Sequence, residues 1–216
     1  MKKEQNKNFL HVTTAAGAQG SPSPRPSCID HDMLTAVVEA GNDPAPLVRT
    51  LGSLVPAVAE GIIRDGFVMA AAPDAELEAV ADAAGCTLVT GKAREILHRA
   101  LQDARGDYFL FLAAGSVLEP GWWVEAAGFV QNSRSGVAPG HAAFAWSSHG
   151  TGLRARLTEI ARRGMVAITG RPHPGQAVIL RRSILQTFPA GAHAAFPPAA
   201  NVRPVLLRAR AYVGSQ

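Results

Sequence analysis

The chain has 216 residues, 47% of them hydrophobic and 6% aromatic, with 21 Lys and Arg against 17 Asp and Glu and a formal charge of +4. That size suits one domain with a core made mainly of Ala, Val, Leu and Ile, and is short for two. No stretch approaches the roughly 20 apolar residues of a membrane-spanning helix, and the lysines near the N-terminus precede no apolar run of a signal peptide. Cys28 and Cys86, without a histidine cluster, argue against both a structural zinc site and a disulfide framework. The expected location is cytoplasmic.

Charge is unevenly distributed. After Glu125 the only acidic residue is Glu159, whereas the same stretch carries Arg134, Arg154, Arg156, Arg162, Arg163, Arg171, Arg181, Arg182, Arg203, Arg208 and Arg210. Such a half attracts phosphates. Nucleotide diphosphates, lipid headgroups and nucleic acid are the candidates, against the plain alternative of an arginine-rich solvent face. The few aromatics and the lack of a recognisable binding module make nucleic acid the least expected.

Residues 1–32 are polar, then small, then Ser-Pro-rich, and are predicted to be a disordered tail. The domain is expected over 33–216, and Met33 is a candidate start codon on composition alone. Residues 34–38 (LTAVV) read as a short buried strand. Asn42 and Asp43 can cap the helix that follows, with Pro44 in its first turn. Leu47, Leu51, Leu54, Val55 and Val58 recur at helical spacing over 46–62. A second strand is predicted over 67–69, a helix over 74–84 ended by Gly85, a third strand over 86–89 and a helix over 93–104. Residues 108–112 (YFLFL) carry the strongest strand signal. The order βαβαβαβ, with short and almost wholly apolar strands, predicts an open, doubly wound sheet with parallel strands. Ligands of such sheets bind at the carboxyl ends of the strands, here near 39–43, 70–74, 90–94 and 113–116.

Beyond these, a helix is predicted over 121–130, a strand over 144–146, an arginine-bearing helix over 153–163, and strands over 177–180 and 205–211. Residues 188–204 read as loop. The helix over 153–163 has the basic amphipathic character of a membrane-surface element. There is no G-x-G-x-x-G, P-loop, H-E-x-x-H, C-x-x-C or G-x-S-x-G motif. His98, within a helix, reads as a surface or half-buried side chain. His141 and His149 flank a predicted strand, a poor arrangement for metal ligation. His173, in a Gly-Pro-rich loop beside Arg171, is placed to hydrogen-bond a ligand.

The segment 105–122 (RGDYFLFLAAGSVLEPGW) resembles the central segment of family 2 glycosyltransferases. In that family an apolar strand leads into an Asp-x-Asp-like motif and then a Pro-Gly-Trp turn. Residues 51–56 (LGSLVP) resemble the family's first helix, 76–85 (ELEAVADAAG) its second, and 170–182 (GRPHPGQAVILRR) its later loop and strand. The similarity covers about 33–185. It implies a single nucleotide-diphospho-sugar transferase-like α/β domain of the GT-A type with a mostly parallel central sheet. The implied activity is hexosyl transfer from a nucleotide sugar, with cell-envelope polysaccharide or lipid-linked sugar assembly, at the inner face of the membrane, as the implied setting.

The family's acidic positions are empty of acid here. The metal motif reads Ala113-Ala114-Gly115-Ser116, and the second strand ends in Ala70-Ala71-Ala72. The Mg²⁺ or Mn²⁺ expected of the family prefers carboxylate oxygens, which alanine and glycine lack. Gly175 replaces an aspartate, and no Asp or Glu occurs over 190–204, where the family places its base. His173 is the substitute base that can be named. The residues expected to touch a nucleotide sugar are Glu39, Asn42, Asp43, Lys92, Arg94, Arg171, Arg181 and Arg182, with ordinary surface charge as the competing reading for each. No metal ligand is expected. A catalytically inactive relative, retained as a binding or regulatory protein, explains the missing carboxylates equally well, because function resides in the site rather than the fold.

Overall fold

The computed structural model describes residues 34–148, 176–186 and 204–213. The tail over 1–32, the arginine-bearing segment 153–163, the loop over 188–204 except for its last residue, Arg171 and His173 lie outside the described residues.

The elements run β1 (Leu34–Glu39), α1 (Pro44–Ala59), β2 (Ile63–Ala70), α2 (Ala75–Ala83), β3 (Thr87–Thr90), α3 (Ala93–Asp103), β4 (Tyr108–Ala113), β5 (Ser116–Leu118), α4 (Trp122–Arg134), β6 (His141–Ser148), β7 (Val178–Arg181), α5 (Arg182–Gln186) and β8 (Val205–Val213). They build one eight-stranded sheet in the order β3-β2-β1-β4-β7-β6-β8-β5. Strands β1 to β4 pair in parallel, as the βα alternation demands. β7 is antiparallel to β4 and to β6, and β5 is antiparallel to β8, so the sheet is mixed beyond its parallel half.

The central strand β4 shows why the sheet must be covered twice. Tyr108, Phe109, Leu110, Phe111 and Leu112 are all fully buried. Side chains alternate across a strand. Tyr108, Leu110 and Leu112 therefore pack with Leu47 and Leu54 of α1, Leu77 of α2 and Trp122 and Phe129 of α4. Phe109 and Phe111 pack on the opposite face with Ile96, Leu97 and Ala100 of α3 and Leu185 of α5. Each such side chain contributes on the order of 1.5–3 kcal/mol by leaving water.

Local chemistry sets the element ends. Asp43 caps α1 by accepting from the Ala45 amide at 2.9 Å, and Pro44 needs no partner at the first position. Asp74 caps α2 by accepting from the Glu76 and Leu77 amides at 2.9 and 3.0 Å. Gly85 ends that helix at φ 67°, a left-handed conformation that side chains disfavour. Pro56 lies inside α1. It deprives the Gly52 carbonyl of its helical donor, and Gly52 is exposed, which leaves that carbonyl open to solvent.

The sequence expectations differ from the structure at several edges. α1 ends at Ala59 rather than 62, and β2 begins at Ile63 rather than 67. α4 continues to Arg134 rather than ending at 130, because Ser133 is buried against the core. β5 and α5 had no counterpart in the reading of the sequence. Both are too short, at 3 and 5 residues, to show a period.

Candidate functional site

Because β1 to β4 are parallel, their carboxyl ends share one edge, and four loops converge there. The loop after β1 holds Glu39 to Asp43, that after β2 Ala70 to Asp74, that after β3 Gly91 and Lys92, and that after β4 Ala114 and Gly115. Backbone hydrogen bonds stitch these tips together. The Ala40 amide donates to the Met69 carbonyl at 2.8 Å, the Gly91 amide to Ala70 at 3.2 Å, and the Ala114 amide to Glu39 at 2.8 Å.

Glu39 is the register partner of Ala113 on the neighbouring strand. Its backbone lies about 5 Å from that of Ala113 and about 10 Å from that of Thr90, two strands away. The side chain is exposed at its rim, yet partial burial desolvates the carboxyl and raises its pKa above the ordinary 4.5. Glu39 is thus a carboxylate held beside the strand tip where the resemblance places a metal motif. Asp43 and Asp74 stand at the same edge, but their oxygens serve as helix caps. Asn42 is exposed between Glu39 and Asp43. Lys92 is exposed at the N-cap of α3 and makes no capping hydrogen bond with its side chain. Arg94 lies in the first turn of α3, so its backbone belongs to this edge too.

The sequence did not single out Glu95. A Cβ built on Gly91 would stand 3.6 Å from its Oε2, which places this carboxylate against the loop after β3. Its position in the first turn of α3 was the available signal. Thr50, within α1, was also missed. It is fully buried, and its Oγ1 accepts from the Gly115 amide at 2.9 Å.

Arg181 and Arg182 require a correction. β7 is antiparallel to β4, with Arg181 opposite Tyr108, at the amino end of β4. The pair therefore sits on the far edge of the sheet, roughly 17 Å along the strand from the Ala113 tip. Arg182 is occupied in a structural role. Its guanidinium donates to the carbonyls of Leu101, of Ala104 at 2.7 Å and of Gly106 at 2.7 Å, closing the C-terminal end of α3. It also lies over the Phe109 ring at 5.1 Å. These residues do not reach a ligand at the carboxyl edge. The antiparallel insertion of β7, which periodicity cannot reveal, is the physical reason.

The loop after β4 supplies backbone without acid. Gly115 adopts φ 93°, and its amide also approaches the Pro46 carbonyl at 3.2 Å. Ser116 is buried. Among the described residues, no group of three or more His, Cys, Asp and Glu could hold a metal ion. Ala113, Ala114 and Gly115 at the β4 tip supply no side-chain oxygen, so that loop does not fit Mg²⁺ or Mn²⁺.

The later segment approaches the same edge. Gln176 is buried and donates from Nε2 to the Phe144 carbonyl at 2.6 Å, just before β7. β7 starts opposite Phe111, so the chain enters it from the carboxyl end of β4.

No protein-family model matches the chain, and no curated protein matches it. Solved structures do. Glucosyl-3-phosphoglycerate synthase of Mycobacterium tuberculosis superposes with a TM-score of 0.53 at 19% identity, covering 86% of this chain and 72% of that one. Its complex with Mn²⁺, UDP and glucosyl-3-phosphoglycerate gives 0.53 at 18% identity, with the same coverages. The fold is of the GT-A type. A third structure, with Mn²⁺, UDP and phosphoglyceric acid, gives 0.49 at 20% identity, covering 73% of this chain and 58% of that chain. The chain thus spans a little under three fifths of the length of that synthase chain. At such identity the likeness establishes the GT-A fold, a single α/β domain with a mixed, largely parallel sheet, and leaves the chemistry to the residues at the carboxyl edge.

Proposed function

We propose that this chain binds a nucleotide sugar across the carboxyl edge of β1 to β4 and acts as a hexosyltransferase-like glycosyltransferase without a divalent metal. The observation that carries the reading is the gathering, on a GT-A fold, of Glu39, Asn42, Lys92 and the first turn of α3 along the one edge formed by the carboxyl ends of β1 to β4. Glu39, Asn42 and Asp43 meet the nucleoside, while Lys92 and Arg94 neutralise phosphate charge. Cationic side chains stabilise a departing diphosphate where carboxylates and metal are missing.

Transfer breaks the bond between the sugar carbon and the diphosphate oxygen and forms one to the acceptor oxygen. The acceptor proton must go to a base. His173 is assigned that role, with Arg171 beside it on the diphosphate. Gln176 supports this assignment, since it stands at the carboxyl edge and three residues of chain span at most about 10 Å. Cell-envelope polysaccharide or lipid-linked sugar assembly is the proposed setting, with residues 153–163 attaching to an anionic membrane at its cytoplasmic face. Among the described residues no helix is long and apolar enough to cross a membrane. Cosedimentation with phosphatidylglycerol vesicles tests the attachment.

A second reading is favoured by the loop after β4. Ala113 and Gly115 offer no carboxylate, and the Ala114 and Gly115 amides are taken by Glu39, Thr50 and Pro46. A protein that binds the nucleotide and transfers nothing fits that loop. Mass spectrometry of reactions with UDP- and GDP-sugars, a lipid or sugar acceptor and EDTA separates the two. Release of nucleoside diphosphate that is lost in His173→Ala supports transfer. Binding without release supports the silent reading.

A further inference from the structure

We infer that Thr50 is the positioning residue of the β4 loop, the side chain through which α1 sets the backbone of Ala114 and Gly115 at the candidate donor edge. This inference rests on the reading of that edge as the nucleotide site. Thr50 is fully buried in the middle of α1, a place where a β-branched hydroxyl residue brings no advantage in helix propensity. Its hydroxyl is used twice. It donates to the Pro46 carbonyl at 3.1 Å, and it accepts from the Gly115 amide at 2.9 Å. The Gly115 amide leans on the Pro46 carbonyl as well, at 3.2 Å, so three groups lock one turn.

That turn needs a lock. Gly115 is held at φ 93°, and a Cβ there would stand 3.7 Å from Pro46 Cβ. Its conformation is one that glycine adopts readily but does not hold without partners. The Ala114 amide is fixed separately by the Glu39 carbonyl. The two bonds tie the β4 tip to β1 on one side and to α1 on the other. The same stretch of α1 reaches further. Ser53 donates to the Thr50 carbonyl at 2.7 Å, and the Trp122 indole donates to the Ser53 carbonyl at 3.2 Å. Thr50 thus lies in a continuous run of contacts from the start of α4 to the loop after β4, beside Glu39. With no metal carboxylates to shape this loop, its geometry depends on the hydroxyl.

Thr50→Val keeps the shape and removes the hydroxyl, and Thr50→Ser keeps the hydroxyl. Amide exchange at Gly115 by NMR and nucleotide dissociation constants are measured for both and for the unaltered protein. A net hydrogen bond corresponds to roughly a fivefold change in an equilibrium. Thr50→Val is expected to exchange the Gly115 amide about fivefold faster and to bind nucleotide about fivefold more weakly, with Thr50→Ser restoring both. Unchanged exchange in Thr50→Val, or a Thr50→Ser that behaves like it, overturns the inference. So does faster exchange with nucleotide affinity intact. If the unaltered protein binds no nucleotide, the reading of the edge fails, while Gly115 exchange still decides whether Thr50 holds the loop. Should Thr50→Val fail to fold, Thr50→Ala is compared with Thr50→Ser by the same two measurements.

Discussion

Removing the Arg182 guanidinium tests the claim that this residue is structural. Three carbonyls, from Leu101, Ala104 and Gly106, lose a charged donor in Arg182→Ala. Hydrogen bonds to charged groups contribute roughly 1.5–3 kcal/mol each, but they share one side chain and are not additive. The side chain is 23% exposed, so water reaches part of what is vacated. The Phe109 contact adds roughly 0.5–1 kcal/mol. Asp107, at 3.9 Å and largely exposed, adds little. A net loss of about 3 kcal/mol is expected. For a domain of this size that lowers the melting temperature by roughly 6–12 °C. Scanning calorimetry of Arg182→Ala, Arg182→Lys and Arg181→Ala measures it. Lysine cannot fork across three carbonyls and recovers less than half of the loss. Arg181 is exposed, and its replacement is expected to change stability by about 0.5 kcal/mol or less. An Arg182→Ala protein that melts within about 1 °C of the unaltered one refutes the assignment.

Three further outcomes follow from local chemistry. Gly52 is exposed inside α1 and a Cβ there meets nothing within 4 Å, so Gly52→Ala should raise stability by about 0.5–1 kcal/mol in urea unfolding. Burial raises the Glu39 pKa above 4.5, so the folded chain holds that proton more tightly than the unfolded one. Stability from this group therefore falls as pH rises from about 4.5 through the raised value and is level beyond it. Glu39→Gln should remove that fall, seen as a flatter pH dependence of the denaturation midpoint. Burial pushes the Cys86 thiol up to about 12, leaving almost no thiolate near neutrality. In a Cys28→Ser background, alkylation of Cys86 should proceed only as fast as the protein unfolds, and rapid labelling of native protein would contradict the burial.

The parallel half of the fold was legible because its signals are local and redundant. Asp43, Asp74 and Gly85 punctuate helices whose apolar spacing is clear, and β4 is apolar at every interior position. The order of those strands then determined which loops share an edge, and the loops that carry Glu39, Asn42 and Lys92 lie along it. The mixed half was not legible in the same way. The direction of β7 is set by pairing with β4 and β6, not by its own residues, and Arg181 and Arg182 were assigned to the wrong end for that reason. β5 gains its strand character only from β8, nearly a hundred residues later. Thr50 carried no visible signal, since its partner Gly115 lies 65 residues away. Gly115 itself falls within the stretch matched to the metal motif, and nothing in a sequence shows what its amide would meet.

The most direct test of the account is titration of the purified full chain with UDP, GDP and their sugar conjugates, followed by thermal shift, once with Mn²⁺ and once with EDTA. A ligand that binds only the native state raises apparent stability, by about 2.7 kcal/mol at a hundredfold excess over its dissociation constant. The account predicts a clear upward shift with one nucleotide, the same in Mn²⁺ and in EDTA, and reduced in Lys92→Ala. No shift with any nucleotide at millimolar concentration, or a shift that appears only with Mn²⁺, would contradict it.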